Sequence, residues 1–139
     1  MRHVLTFAGA LLAFVALDMV WLVVVGGPLF MSQVGTVLRE RPDLAAAGTF
    51  YLIYGVGMAT LVVAPALRER SVLSAAWRGA VLGLTAYATF DLTNLAIVRD
   101  WTLTVSLADM AWGTCATGLA CLAGYGAGHW ATRTDGDRL

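Results

Sequence analysis

The sequence has little of what a soluble protein displays to water. It contains no lysine, and 13% of its 139 residues are charged whereas 59% are hydrophobic. Charge this sparse, with a mean hydropathy of +0.74, lies outside the ordinary range of soluble domains. The formal net charge is zero and no basic stretch is present, so the positive surface that nucleic acid would require is missing. We expect a membrane protein surrounded by lipids, with no nucleic-acid partner.

The common catalytic and metal-binding motifs are also missing. The chain has no GxSxG, HExxH, CxxC or glycine-rich phosphate loop. Its two cysteines, Cys115 and Cys121, share one apolar run at a spacing that a helix cannot bridge. His3 and His129 lie near the ends of the chain, which argues against zinc or iron. Carboxylates could hold a hard divalent cation, but we assign no metal site and leave any cofactor unknown.

Four apolar segments are long enough to cross a hydrocarbon core of about 30 Å. Each must be helical, because an open strand would leave backbone groups unpaired in lipid. The sequence therefore predicts an all-α bundle of four transmembrane helices, with one domain at residues 1–131 and a polar, frayed tail at 132–139. The predicted spans are Val4–Val25, Ala45–Leu67, Gly79–Val98 and Leu103–Gly128.

The arginines predict the orientation, because cytoplasmic loops carry the excess of positive charge. Six arginines fall on the side of the termini and three on the other side. We therefore expect both termini in the cytoplasm, with the chain in the inner membrane. The six are Arg2, Arg68, Arg70, Arg78, Arg133 and Arg138, and the three are Arg39, Arg41 and Arg99.

The longest connection, Gly26 to Leu44, carries apolar residues at helix-like spacing after Pro28. This pattern predicts a short amphipathic helix along the outer interface, between spans one and two. Asp43 is placed to cap the second span.

Three aspartates lie inside the predicted spans. Asp18 is seven residues before the outer end of span one, Asp91 seven before the outer end of span three, and Asp109 six after span four begins. At about 1.5 Å per residue, all three lie roughly 10 Å below the outer edge of the membrane. They are the predicted catalytic residues, as proton donors or acceptors.

Aromatic and polar side chains share the helix faces of these aspartates. Asp18 follows Phe14 and precedes Trp21, and Asp91 lies between Tyr87 and Asn94, each set at i, i+4, i+7. We expect these stripes to face the bundle interior. Phe14, Phe50 and Phe90 are expected to pack the core. The predicted ligand-binding residues are Trp21, Tyr51, Tyr54, Tyr87, Asn94 and Trp112.

An aspartate at mid-helix costs about 2.5 to 3.5 kcal/mol on membrane insertion. Three arrangements would compensate for this cost: protonated carboxyl groups that donate hydrogen bonds, a shared cation or cationic ligand, or a wet cavity covered by the Gly26–Leu44 segment with Arg39 and Arg41. The alternative without a function is interhelical hydrogen bonding alone, worth roughly 0.6 kcal/mol per bond.

Four pieces of the chain resemble the bacterial predicted membrane family catalogued as domain of unknown function 2177. The resemblance covers about Leu5 to Gly124, and its most specific part contains Tyr87, Asp91, Thr93 and Asn94. It implies a four-helix inner-membrane protein and supplies no reaction. The pieces are LDMVWL at 17–22, FYLIY at 50–54, YATFDLTNL at 87–95 and DMAWGT at 109–114.

These observations lead to three hypotheses for the function. The first is a buried acidic and aromatic pocket, in the half facing the periplasm, that binds or chemically modifies a lipid-like or small amphiphilic molecule. The second is a proton- or cation-coupled small carrier, which with four spans would need to act as a homo-oligomer. The third is a small structural subunit of a larger membrane complex. The sequence does not decide whether the protein is an enzyme.

Overall fold

A computed structural model of the protein describes residues 2–136, and the side chains of residues 2–132. The described chain is helical with short connections, and four of its helical segments are long and apolar enough to cross a membrane. The prediction of an all-α bundle with four spans is thereby confirmed. The four spans are Arg2–Val37, Leu44–Glu69, Val72–Ile97 and Leu103–Thr132.

Two of the spans contain a π-helical turn. The first span consists of α1 (Arg2–Trp21), a π turn (Leu22–Gly26), α2 (Gly27–Val34) and a 3₁₀ turn (Gly35–Val37). The second consists of α3 (Leu44–Gly57), a π turn (Met58–Val63) and α4 (Ala64–Glu69). The third and fourth are α5 (Val72–Ile97) and α6 (Leu103–Gly136).

The helices extend beyond the predicted limits of the spans. The helical backbone does not end at Val25 but continues to Val37, and the prediction that this extension lies along the interface stays a prediction. The Asp43 carboxylate accepts hydrogen bonds from the Ala45 and Ala46 amides, so α3 starts at the predicted cap. At α5, Ser71 caps the helix in the same way through Ser74 N–H. Residues 132–136, predicted as a frayed tail, continue α6, and 137–139 lie outside the described residues.

Helix α6 is the central helix of the bundle. Half of the residues in its most apolar stretch of 18 are buried, a larger share than in the other spans. The helix packs along both α1 and α5. Small residues allow these close approaches: a side chain at Gly83 would overlap the Gly113 carbonyl oxygen of α6, and one at Gly124 would come within 2.9 Å of Ala10 Cβ. These two glycines therefore serve helix packing within the chain.

The buried side chains form two apolar clusters. The larger one, which we call the packed core, joins α1, the second span and α6. The smaller one consists of Val34, Trp101 and Val105, with Phe30 and Leu38 packed against it. It packs the end of the first span against the start of α6. The packed core consists of Ala10, Phe14, Tyr54, Met58, Val62, Val63, Ala116, Ala120 and Cys121.

Candidate ligand site

Asp18 links three spans. Its side chain is buried, with 7% of its surface exposed. Tyr51 Oη, from the second span, donates a hydrogen bond to Asp18 Oδ2 at 2.5 Å, and Tyr87 Oη, from the third, donates to Oδ1 at 3.5 Å. Phenolic hydroxyl groups are strong donors to a carboxylate. The carboxyl group of α1 is thus held by hydroxyls from two neighbouring helices.

Asp109 connects the fourth span to the first. It is as buried as Asp18, and its Oδ1 accepts a hydrogen bond from Trp21 Nε1 at 3.1 Å. The Trp21 indole stacks on Trp112 with ring centroids 5.0 Å apart and planes at 5°. Asp18 and Asp109 are close enough to interact electrostatically, so the two carboxyl groups form one acidic region.

Asp91 is the most enclosed of the three aspartates. None of its surface is exposed, and within the described residues no N–H or hydroxyl group donates to either carboxyl oxygen, whose hydrogen-bonding neighbour is the Asp109 carboxyl group. It interacts electrostatically with Asp109. Its backbone carbonyl oxygen accepts a weak bond from Ser106 Oγ at 3.4 Å. A buried carboxyl group without a donor is unusual, and Asp91 therefore differs from the other two in its surroundings.

A cavity of about 620 Å³ adjoins this acidic region. Asp18, Asp109, Trp21 and Tyr87 contribute its polar and amphipathic wall. The volume falls in the range of small-molecule sites, about 300 to 1,000 Å³. The remaining wall is apolar and consists of Leu22, Gly27, Phe30, Met31, Leu38, Phe50, Ala86 and Phe90.

The extension of the first span forms part of the cavity wall. Phe30 and Met31 of α2 and the following Leu38 contact the space. Trp101 holds this wall from behind, since its ring packs edge-on against both Phe30 and Phe90, at 5.8 and 5.5 Å. Trp101 Nε1 donates to Ser106 Oγ at 3.1 Å. A covering role for the segment was among the predicted arrangements, although Arg39 and Arg41 are absent from the wall.

The match to a family model decides the family. A model described as a predicted membrane protein, DUF2177, matches residues 3–126. The chain belongs to the DUF2177 family. The resemblance seen in the sequence is thereby confirmed. A search of curated proteins and a search of solved structures each found no match.

Two of the predicted ligand-binding residues of this DUF2177 protein, Tyr54 and Asn94, make no hydrogen bond to an aspartate among the described residues. Tyr54 is buried in the packed core, and its hydroxyl pairs with Thr117 Oγ1 at 2.8 Å. In the part of the chain that the structure describes, no hydrogen bond joins the Asn94 side chain to an aspartate. Trp112 contributes through its stacked ring, and its buried Nε1 interacts with the Asp18 carboxyl group without meeting close hydrogen-bond geometry among the described residues.

Two phenylalanines that the sequence assigned to the core are cavity residues in the DUF2177 structure. Phe50 is 44% exposed and Phe90 52% exposed, and both line the cavity, whereas Phe14 is fully buried. Phe90 precedes Asp91 by one residue, so helix spacing alone does not show whether its side chain lies on the face of Asp91 or on the face toward the core. The aromatic wall of the cavity could be recognised only from the packing of the helices.

The carboxyl groups of this DUF2177 protein do not form a shared ligand set for a metal. Among residues 2–136, no three His, Cys, Asp or Glu side chains converge into a group that could hold a metal ion. Asp18 and Asp109 instead accept hydrogen bonds from aromatic side chains. The arrangement provides acceptors beside an apolar space, which suits a molecule with a polar head and an apolar body.

Proposed function

We propose that this protein binds an amphiphilic molecule in the cavity of about 620 Å³. One observation carries the proposal: two carboxyl groups, Asp18 and Asp109, lie in a wall that is otherwise mostly apolar. Protein interiors are close-packed, so an apolar space of this size in a membrane protein is suited to an acyl or other hydrocarbon group. The carboxyl groups would receive the polar head.

The wall chemistry selects the kind of head group. Among the described side chains, no arginine, lysine or histidine lines the cavity, so a phosphate or carboxylate head would meet carboxylates without a compensating cation. A carboxylate accepts hydrogen bonds and attracts positive charge. The favoured ligand is therefore an amphiphile whose head donates hydrogen bonds or is cationic, such as an amine or a polyol. Chemical modification of the bound molecule is the further step that Asp18 and the tyrosine hydroxyls would permit.

The test is the set of molecules that copurify with the protein. We expect native mass spectrometry of the detergent-purified wild type to retain one class of amphiphile, and Asp18→Asn and Asp109→Asn to lose it. Asp100→Asn is the matched control, because Asp100 is exposed and outside the spans. If all four proteins retained the same species in the same amounts, the proposal would be wrong.

Asp91 favours a second function, the proton-coupled movement of such a ligand. A fully buried carboxyl group without a donor, beside Asp109, is suited to sharing one proton with its neighbour, and intramembrane carboxyl groups mark proton pathways in carriers. A four-span chain would act as a homo-oligomer in this role. In proteoliposomes, ligand movement should follow a pH gradient in the wild type and lose that dependence in Asp91→Asn. Ligand movement that does not depend on the pH gradient in either protein would exclude proton coupling.

For the orientation, we propose an inner-membrane protein with both termini in the cytoplasm. An even number of crossings places both ends on one side, and the six-to-three arginine distribution favours the cytoplasm for that side. The cavity would then face the periplasm. Alkaline phosphatase fused after Arg39 should be active, whereas the same enzyme fused after Arg70 should be inactive. The reverse pattern would invert the orientation and place the cavity in the cytoplasmic half.

A further inference from the structure

The acidic cavity is open on one side. Four residues of its wall are large and apolar and are also exposed at the protein surface, with 43% to 64% of each residue accessible. A residue that both lines a cavity and lies at the surface marks the mouth of that cavity. We call these four residues, Leu22, Met31, Phe50 and Phe90, the rim.

The rim lies where the second and third spans separate. Helix α5 packs against the π turn and α4 of the second span, whereas in the described structure it has no extensive contact with α3, which packs against α1. Phe50 makes ring contact with Phe14, and Phe90 with Trp101, but the described rings of Phe50 and Phe90 do not contact each other. The two spans are therefore together in one half of the bundle and apart in the half that contains the cavity.

The opening lies within the membrane-crossing length of both helices. Phe50 is six residues after Leu44, where α3 begins, and Phe90 is seven residues before Ile97, where α5 ends. At about 1.5 Å per residue, each is about 9 to 10 Å along its helix from that end. Exposed apolar side chains are unfavourable in water and favourable beside acyl chains. The rim is therefore suited to contact with lipid.

The carboxyl groups are enclosed where the rim is exposed. Asp18 and Asp109 line the same cavity, but each is only 7% exposed. They belong to α1 and α6, which pack along each other. The cavity thus extends from an apolar mouth to a buried acidic wall, and this polarity matches an amphiphile that inserts with its head inward.

We infer that the cavity opens sideways into the membrane between α3 and α5, and that the amphiphile enters through this opening and keeps its hydrocarbon chain among the lipids. The head would then lie beside Asp18 and Asp109, and the rim would contact the chain. This inference rests on the proposed function for the occupant and adds its route and orientation. The protein would select its ligand by the head group, from molecules already dissolved in the bilayer.

The first experiment identifies the medium that reaches the cavity and needs no ligand. Cys115 and Cys121 are replaced by alanine, and Ala86→Cys, in the cavity wall, receives a nitroxide spin label in liposomes. Electron paramagnetic resonance then measures collisions of the label with oxygen, which concentrates in lipid, and with a water-soluble nickel chelate. We expect oxygen to relax the label far more effectively than the chelate.

Two exposed positions calibrate this measurement. Leu12→Cys, on α1, reports contact with lipid, and Arg39→Cys, in the connection before α3, reports contact with water. The label at Ala86→Cys should behave like the one at Leu12→Cys. Behaviour like that at Arg39→Cys shows a cavity open to water, and shielding from both relaxing agents shows a closed cavity; either result overturns the inference. Leu22→Cys, also in the wall, is the second variant if Ala86→Cys does not fold.

The second experiment closes the opening. Phe50→Cys and Phe90→Cys are combined in the background without other cysteines and joined by a bis-maleimide in membranes. The joined protein should exchange bound dodecylamine, an amphiphile with an amine head, at least about tenfold more slowly than the same protein before joining, because the bridge obstructs the route. Isotope-labelled dodecylamine and native mass spectrometry measure the exchange. An unchanged exchange rate shows another route and overturns the inference.

The two experiments separate this inference from the proposed function. If the wild type does not bind dodecylamine but the label at Ala86→Cys contacts lipid, the sideways opening is supported and the proposed function fails for an amine head. If the wild type binds dodecylamine but the label contacts water, the proposed function is supported and the sideways route is wrong.

Discussion

The packed core and the acidic cavity use aromatic residues in opposite ways. In the packed core, Phe14 is completely buried and packs against Tyr54 with ring centroids 4.9 Å apart. At the cavity, Phe50 and Phe90 remain about half exposed and border an open space. Small residues bring α1 close to α6 in the first region. Large side chains that border an open space characterise the second region, and that contrast supports the proposed binding site.

The polar groups follow the same division. The Tyr54 hydroxyl forms a hydrogen bond with the Thr117 hydroxyl in the core and contributes to packing. The Tyr51 hydroxyl donates a hydrogen bond to Asp18, which also lines the cavity. Two tyrosines three residues apart on one helix therefore have different roles, and each contrast between the regions can be tested with a matched pair of variants.

The largest difference is expected between two phenylalanine truncations. Phe14→Ala should lower the free energy of unfolding by about 3 to 5 kcal/mol, because it leaves a void in a closely packed region. Phe90→Ala should lower it by less than about 1 kcal/mol, because the ring is half exposed. Reversible unfolding in detergent micelles measures both values. Equal losses would show that Phe90 is a core residue, as its sequence context suggested.

A smaller difference is expected between two glycine substitutions. Gly83→Ala places a methyl group against the Gly113 carbonyl oxygen and should cost about 1 to 3 kcal/mol through overpacking. Gly48→Ala, in open space on α3, should stabilise the helix by about 0.5 to 1 kcal/mol. The same unfolding assay separates the two. A tolerated Gly83→Ala would mean that α5 and α6 do not approach as closely as described.

The smallest difference in stability, but the clearest in binding, is expected between Tyr51→Phe and Tyr54→Phe. Each removes one hydrogen bond, worth about 0.5 to 1.5 kcal/mol, so their unfolding free energies should fall by similar amounts. Only Tyr51→Phe should change the amount of copurified amphiphile, because only Tyr51 holds a cavity carboxyl group. A change of the same size in Tyr54→Phe would remove the distinction between the two regions.

The four spans and the burial of the aspartates could be predicted from the sequence. Span length follows directly from hydropathy, and the cost of a charge in lipid turns Asp18, Asp91 and Asp109 inward. Counting residues along each helix also placed Asp18, Asp91 and Asp109 at one level, and Asp18 and Asp109 line the same cavity.

The direction of individual side chains could not be predicted. Residues three apart on a helix differ by about 60° around its axis, which separates Tyr54 from Tyr51 and Asn94 from Asp91. Whether such an offset turns a side chain into the site or away from it depends on how the neighbouring helix is rotated. The amphipathic pattern of the Gly26–Leu44 segment was visible, but its contact with the cavity, through Phe30 and Leu38, depends on tertiary packing around Trp101.

The most direct test of the cavity is to identify what lies in it. A photoreactive phenylalanine analogue is introduced at Phe90, on the cavity wall, or at Leu12, an exposed position on α1, and the adducts formed in membranes are analysed by mass spectrometry. Our account predicts that the probe at Phe90 captures one class of amphiphile with a donor or cationic head, while the probe at Leu12 captures the average lipid mixture. The same mixture at both positions would contradict it.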